Sequence, residues 1–162
     1  MEEAEQVVAE FRHQLDPVAH LGMPAHVTVL FPFAPAGGIN DDVVDRLRSL
    51  FGTVPAFENS FVRTEWFGEE VLWLASEADE TLRSLTSLVA EAFPESPPYG
   101  GEFDDVVPHL TVADHGPVNA MRAAERSLRS HLPINAFTSV VTLMAEQPSG
   151  RWEAAGSFVL GG

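Results

Sequence analysis

Apolar residues recur at helical spacing from Glu3 to Leu15, with Val7, Val8, Phe11 and Leu15 on one face. Asp16-Pro17 is expected to end that helix. The turn Gly22-Met23-Pro24 precedes Val27 to Phe31, whose β-branched residues predict a strand. Pro32, Pro35, Gly37 and Gly38 predict a loop. Asn40 or Asp41 can cap a second helix that runs to Phe51, with Val43, Val44, Leu47 and Leu50 inward. Phe57 to Trp66 and Val71 to Ala75 predict two strands joined at Phe67-Gly68-Glu69. Thr81 to Phe93 is amphipathic, and Pro94 to Asp105 is a Pro/Gly-rich loop.

The same order then recurs. Val107 to Ala113 predicts a strand. Pro117 opens a helix carrying Met121, Ala124, Leu128 and Leu132, since proline fits a first helical turn whose N–H groups lack partners. Ile134 to Met144 and Trp152 to Leu160 predict strands around the turn Pro148-Ser149-Gly150. His26 and His109 are 83 residues apart, and the hairpin glycines Gly68 and Gly150 are 82 apart. Two features at nearly the same offset point to an internal duplication. The predicted class is α+β, with an internal duplication. One domain spans 1–162, with lobe-forming halves of roughly 1–76 and 77–162. The first helix has no strand before it, so the first half is expected to lack an edge strand.

Charge narrows the partners. The chain has 24 acidic and 9 basic residues, a net charge of −15, and every basic residue is arginine. Proteins that grip long nucleic acids neutralise several phosphates with a basic stripe, and none is visible here. A phosphate-bearing substrate is therefore expected to be short. The absence of cysteine excludes disulfides and thiolate metal sites. No apolar run is long enough for a membrane span, and the acidic start is unlike a secretory signal, so the expected compartment is the cytoplasm.

The chemistry lies in two segments, Pro24-Ala25-His26-Val27-Thr28-Val29 and Pro108-His109-Leu110-Thr111-Val112. Alternate residues of a strand share a face, so each segment offers one imidazole and one hydroxyl opposite an apolar back. Cleaving a phosphodiester requires one group to take a proton and another to give one, and histidine titrates near working pH. The threonine hydroxyls can donate to non-bridging oxygens, where charge develops.

These paired His-x-Thr-x motifs resemble the two-histidine (2H) phosphoesterase superfamily, and the contexts "PAHVTVLFPF" and "VPHLTVA" are similar to its bacterial 2′-5′ RNA ligase-like branch. The resemblance covers most of the chain. It implies a bilobal α+β duplication with two antiparallel sheets flanking a central cleft and helices outside, and a hydrolase of RNA-processing type without metal or other cofactor. It implies activity on a 2′,3′-cyclic phosphate or 2′-5′ phosphodiester of a small nucleotide or RNA end. By it, His26 and His109 are catalytic and Thr28 and Thr111 bind the phosphate. Relatives usually begin with a strand before the first helix, and this chain departs from them there.

Tyr99 and Phe103, in the loop before the second motif, are expected to form a substrate lip by stacking on a base or ribose. The structural alternative is that Phe103 anchors the loop in the core. Arg63, Arg151 and Trp152 fall on or near hairpins, and His115 reads as a loop residue. Two other functions fit the composition. A silent nucleotide- or RNA-end-binding module is disfavoured because both motifs are intact. A metal-dependent hydrolase would use Asp104, Asp105, His109, Asp114 and His115, which lack a tight ligand spacing such as HExxH. The sequence does not assign which histidine is acid and which is base, nor an oligomeric state.

Overall fold

The structure, a computed structural model, describes residues 1–34, 38–103 and 105–161. Pro35 and Gly37 of the predicted loop, and Asp104, lie outside the described residues. Among these residues are the helices α1 (Glu2–Leu15), α2 (Pro17–His20), α3 (Asp41–Phe51), α4 (Asp79–Ala92) and α5 (Val118–Leu128). The strands are β1 (Phe57–Glu58), β2 (Phe61–Phe67), β3 (Val71–Ser76), β4 (Leu110–Asp114), β5 (Phe137–Thr138), β6 (Val140–Glu146) and β7 (Trp152–Val159). The class is α+β. One sheet has the order β2-β3-β4, another pairs β6 with β7, and β1 pairs with β5. Every pairing in the two larger sheets is antiparallel.

The chain forms two compact units that interleave in sequence. The first comprises Met1–Val27, Glu58–Ala78 and His109–Phe137; the second comprises Thr28–Phe57, Asp79–Pro108 and Thr138–Gly162. The units therefore do not follow the expected halves 1–76 and 77–162, because each draws on both. The physical cause is long-range pairing. β4, from the second half, adds to β3 through the register Leu74↔Leu110 and Trp73↔Thr111, and α1 packs on β4.

In the first unit, Ala4 and Val8 of α1 meet Phe61, Leu72, Leu74, Leu110, Val112, Met121 and Leu128, all fully buried. At about 25 cal/mol per Å² of apolar surface removed from water, this cluster is the main stabilising term for the unit. In the second unit, Leu47 and Phe51 of α3, Leu82, Leu85 and Val89 of α4, and Phe158 of β7 are buried. Phe51 lies 5.7 Å from Phe158, ring centroid to ring centroid.

Several local expectations are corrected. Asp16-Pro17 does end α1, and it also opens α2. The Asp16 carboxylate accepts the Val18 N–H at 3.2 Å and caps α2, with Pro17 in its first turn. The strand expected over Phe57–Trp66 breaks at Asn59, whose N–H donates to Ala136 O at 2.8 Å and whose side chain is buried. The strand expected over Ile134–Met144 likewise splits into an isolated bridge at Ile134, β5 and β6. Helix α5 ends at Leu128, and Arg129–His131 tightens into a 3₁₀ turn.

The largest correction concerns Val27–Phe31, which is no strand. Pro24 and Pro32 at its borders have no N–H to give a ladder. Its carbonyls are used elsewhere: Val29 O accepts the Thr86 hydroxyl at 2.7 Å, and Phe31 O accepts the Tyr99 N–H at 2.6 Å. The duplication still leaves a trace. Phe31 meets Trp152, the first residue of β7, with ring centroids 6.2 Å apart. Near the matching offset (83 residues from Phe31 to Asp114, 81 from Val71 to Trp152), Asp114 pairs with Val71, the first residue of β3.

Candidate active site

His26 and His109 both belong to the first unit. His26 follows α2 on an irregular segment, and its Nδ1 lies 2.8 Å from the Pro24 carbonyl. A carbonyl only accepts, so Nδ1 carries the proton and Nε2 keeps its lone pair. Burial pushes the His26 imidazole below its ordinary value. The Pro24 contact opposes this, Arg12 lowers it, Asp16 raises it, and His109 lowers it. Burial thus favours the neutral form of His26, and a positive charge on His109 would favour it further.

His109 stands immediately before β4, after Pro108. Leu110 and Val112 are fully buried against the core, so the expected apolar back of this motif is present. Thr111 is partly exposed and pairs across β3 with Trp73. The His109 ring meets Phe67 edge-on, with centroids 5.0 Å apart and planes at 88°, and lies 5.8 Å from Trp73. Phe67 and Trp73 are themselves stacked at 4.8 Å. The sequence reasoning missed these two aromatics. Their signal was the hairpin register, which places Phe67 opposite Val71 and Glu65 opposite Trp73.

The remaining candidates fall in both units. Thr28 begins the second unit and is partly exposed. Tyr99 and Phe103 are also in the second unit, and their rings meet edge-on at 5.6 Å. Phe103 is 60% exposed, so it does not anchor the loop in a core. Tyr99 sits in a 3₁₀ turn at φ 51°, and burial raises the pKa of its phenol. Arg63 pairs with Glu65 at 2.8 Å. His115, exposed at φ 53°, bonds Asp114 through Nδ1 and lies 3.6 Å from Glu70; the Asp114 bond raises its pKa. Among the described residues, no three His, Asp or Glu side chains converge as metal ligands. Asp105 instead meets Arg83.

The 2′-5′ RNA ligase superfamily model matches residues 2–147. The chain belongs to this superfamily. No curated relative matches the sequence. Among solved structures, E. coli LigT complexed with 3′-AMP aligns at a TM-score of 0.64 and 16% identity, covering 96% of this chain and 90% of that one. E. coli LigT complexed with NADP+ aligns at 0.59 and 17%, covering 100% and 93%. The LigT complex with ATP aligns at 0.57 and 17%, covering 98% and 91%. These likenesses show a fold shared with E. coli LigT. Among the described residues, no helix is long and apolar enough to cross a membrane.

Proposed function

We propose that this superfamily member is a metal-independent phosphoesterase acting on a 2′,3′-cyclic phosphate or 2′-5′ phosphodiester of a small nucleotide or RNA end. The observation that carries this is the geometry of His26: its Nδ1 lies 2.8 Å from the Pro24 carbonyl, which leaves Nε2 as the acceptor, and burial lowers its pKa. In hydrolysis, His26 Nε2 takes a proton from water as the water oxygen bonds to phosphorus. The bond from phosphorus to the ribose oxygen breaks, and protonated His109 gives that oxygen its proton. Proton return from His26 to His109 through solvent restores the pair, and in the reverse direction the two histidines exchange roles.

The motif threonines Thr28 and Thr111 are assigned to the non-bridging phosphate oxygens. Tyr99 and Phe103 are assigned to a base or ribose, as exposed Phe103, edge-on to half-buried Tyr99, suits stacking. A short substrate fits the charge distribution. Arg12, Arg48, Arg63, Arg83, Arg122 and Arg129 each pair with a carboxylate, which leaves little cationic surface for a long polyanion. That LigT was crystallised with 3′-AMP, NADP+ and ATP supports a small nucleotide as the ligand class.

The test is a panel of 2′,3′-cyclic nucleotides, ADP-ribose cyclic phosphate and short 2′-5′ oligonucleotides, with and without EDTA. Turnover of one class, unchanged by EDTA, is expected. Binding without turnover would favour the silent module, and loss in EDTA would favour a metal-dependent hydrolase.

A further inference from the structure

The peptide group between Pro24 and Ala25 is hydrogen-bonded on both sides. Its carbonyl faces His26 Nδ1 at 2.8 Å, and its N–H donates to the Glu5 carboxylate through Oε2. Glu5 lies in the first turns of α1, and the same Oε2 lies 3.9 Å from Arg12 Nη1. Arg12, 2% exposed, gives Nε and Nη2 to Asp16 Oδ2 at 3.0 and 2.8 Å. Asp16, 1% exposed, turns its other oxygen to the Val18 N–H and caps α2. The anchor is thus two buried, mutually satisfied charges, and the contact with the loop is made by Glu5.

We infer that Glu5 is a positioning residue for His26, acting through the single Pro24–Ala25 peptide. A carboxylate on the N–H polarises the amide, so its carbonyl becomes a stronger acceptor for the imidazole N–H. The arrangement has the logic of a carboxylate that orients a catalytic histidine, with one peptide group interposed. It fixes the tautomer with Nε2 free and stabilises the imidazolium formed when His26 takes a proton. Arg12 and Asp16 hold α1 and α2 on either side and nearly cancel as charges, so the imidazole feels Glu5 chiefly through the peptide. The sequence gives no sign of this, because Glu5 precedes His26 by 21 residues in an acidic helix start.

The inference rests on His26 being the base, so its test has a readout independent of activity. Glu5→Ala and Glu5→Gln are compared with the unaltered protein and with His26→Ala. Glu5 is 41% exposed and lines an open groove, so both variants are expected to fold, which a melting curve checks. Nitrogen-15 spectra of the unliganded protein should show His26 protonated at Nδ1, with Glu5→Ala moving the population toward the other tautomer. Glu5→Ala should lower kcat about tenfold with KM within about twofold, and Glu5→Gln, which still accepts the N–H, should recover most of that loss. An unchanged tautomer and unchanged kcat in Glu5→Ala overturn the inference. A tautomer shift in Glu5→Ala beside full activity in His26→Ala supports Glu5 as positioning residue and overturns the proposed catalysis instead. If Glu5→Ala does not fold, the tautomer and kcat of Glu5→Gln decide: a kcat below one-tenth of the unaltered value counts against the inference.

Discussion

The Nδ1 of His26 lies 2.8 Å from the carbonyl of Pro24, two residues before it. That contact decides which ring nitrogen is available. Together with burial, which lowers the pKa, it makes His26 a neutral acceptor at working pH. The acid limb of the kcat/KM profile should therefore lie below about 6.5, the ordinary imidazole value. A proton NMR titration of the histidine ring should give the same midpoint for His26. A midpoint above that value would count against His26 as the base.

The same shift has a sign for stability. The unfolded chain protonates His26 near its ordinary value, while the folded chain resists until lower pH. The contribution is full above about 6.5 and is lost as pH falls from there through the folded value, because the unfolded state then binds more protons. Relative to His26→Ala, the native protein should lose stability over that window in chemical denaturation. An identical pH dependence in both proteins would refute the linkage.

Replacing either His26 or His109 by alanine should lower turnover at least about 100-fold, the usual size of an acid–base contribution. Both rings are partly exposed, so the melting temperature should change little. Full turnover in either variant would remove the mechanism.

Phe67 holds His109 edge-on at 5.0 Å and is itself 37% exposed. An aromatic pair of this kind is worth about 0.5–1.5 kcal/mol beyond its buried area. Phe67→Ala should reduce turnover about tenfold by letting the imidazole rotate, a loss of the same order as that pair energy. Phe67→Tyr should retain activity. Equal losses in both would point to a different role for this ring.

Phe103 and Leu72 give contrasting outcomes. Phe103 is 60% exposed, so Phe103→Ala should change stability by no more than about 0.5 kcal/mol. If it stacks on a base it should raise KM about tenfold, since one stacked base contributes about 1–3 kcal/mol. Leu72 is fully buried in the core of the first unit, and Leu72→Ala should cost about 2–5 kcal/mol in urea unfolding. A KM unaffected by Phe103→Ala would remove the lip.

Local pattern carried much of this. Helical spacing located α1, α3, α4 and α5, and the hairpins at Gly68 and Gly150 lie where turn residues placed them, both glycines at positive φ. The paired motifs led to the superfamily that the family comparison then established. The strand over Val27–Phe31 failed because its apolar, β-branched residues fix only a propensity. Whether a ladder forms depends on where its carbonyls find donors, and here Thr86 and Tyr99 supply them.

The sequence by itself determined the α+β class and the two His-x-Thr segments, because periodicity and motif spacing are local properties. Only the tertiary structure decided that α1 packs on β4, that the compact units interleave, and that His109 lies against Phe67 and Trp73. It alone placed Glu5 on the peptide that holds His26. The physical reason is common to all of these. Each depends on which distant residues meet, and a one-dimensional pattern records what a segment can form but not the partner that satisfies it.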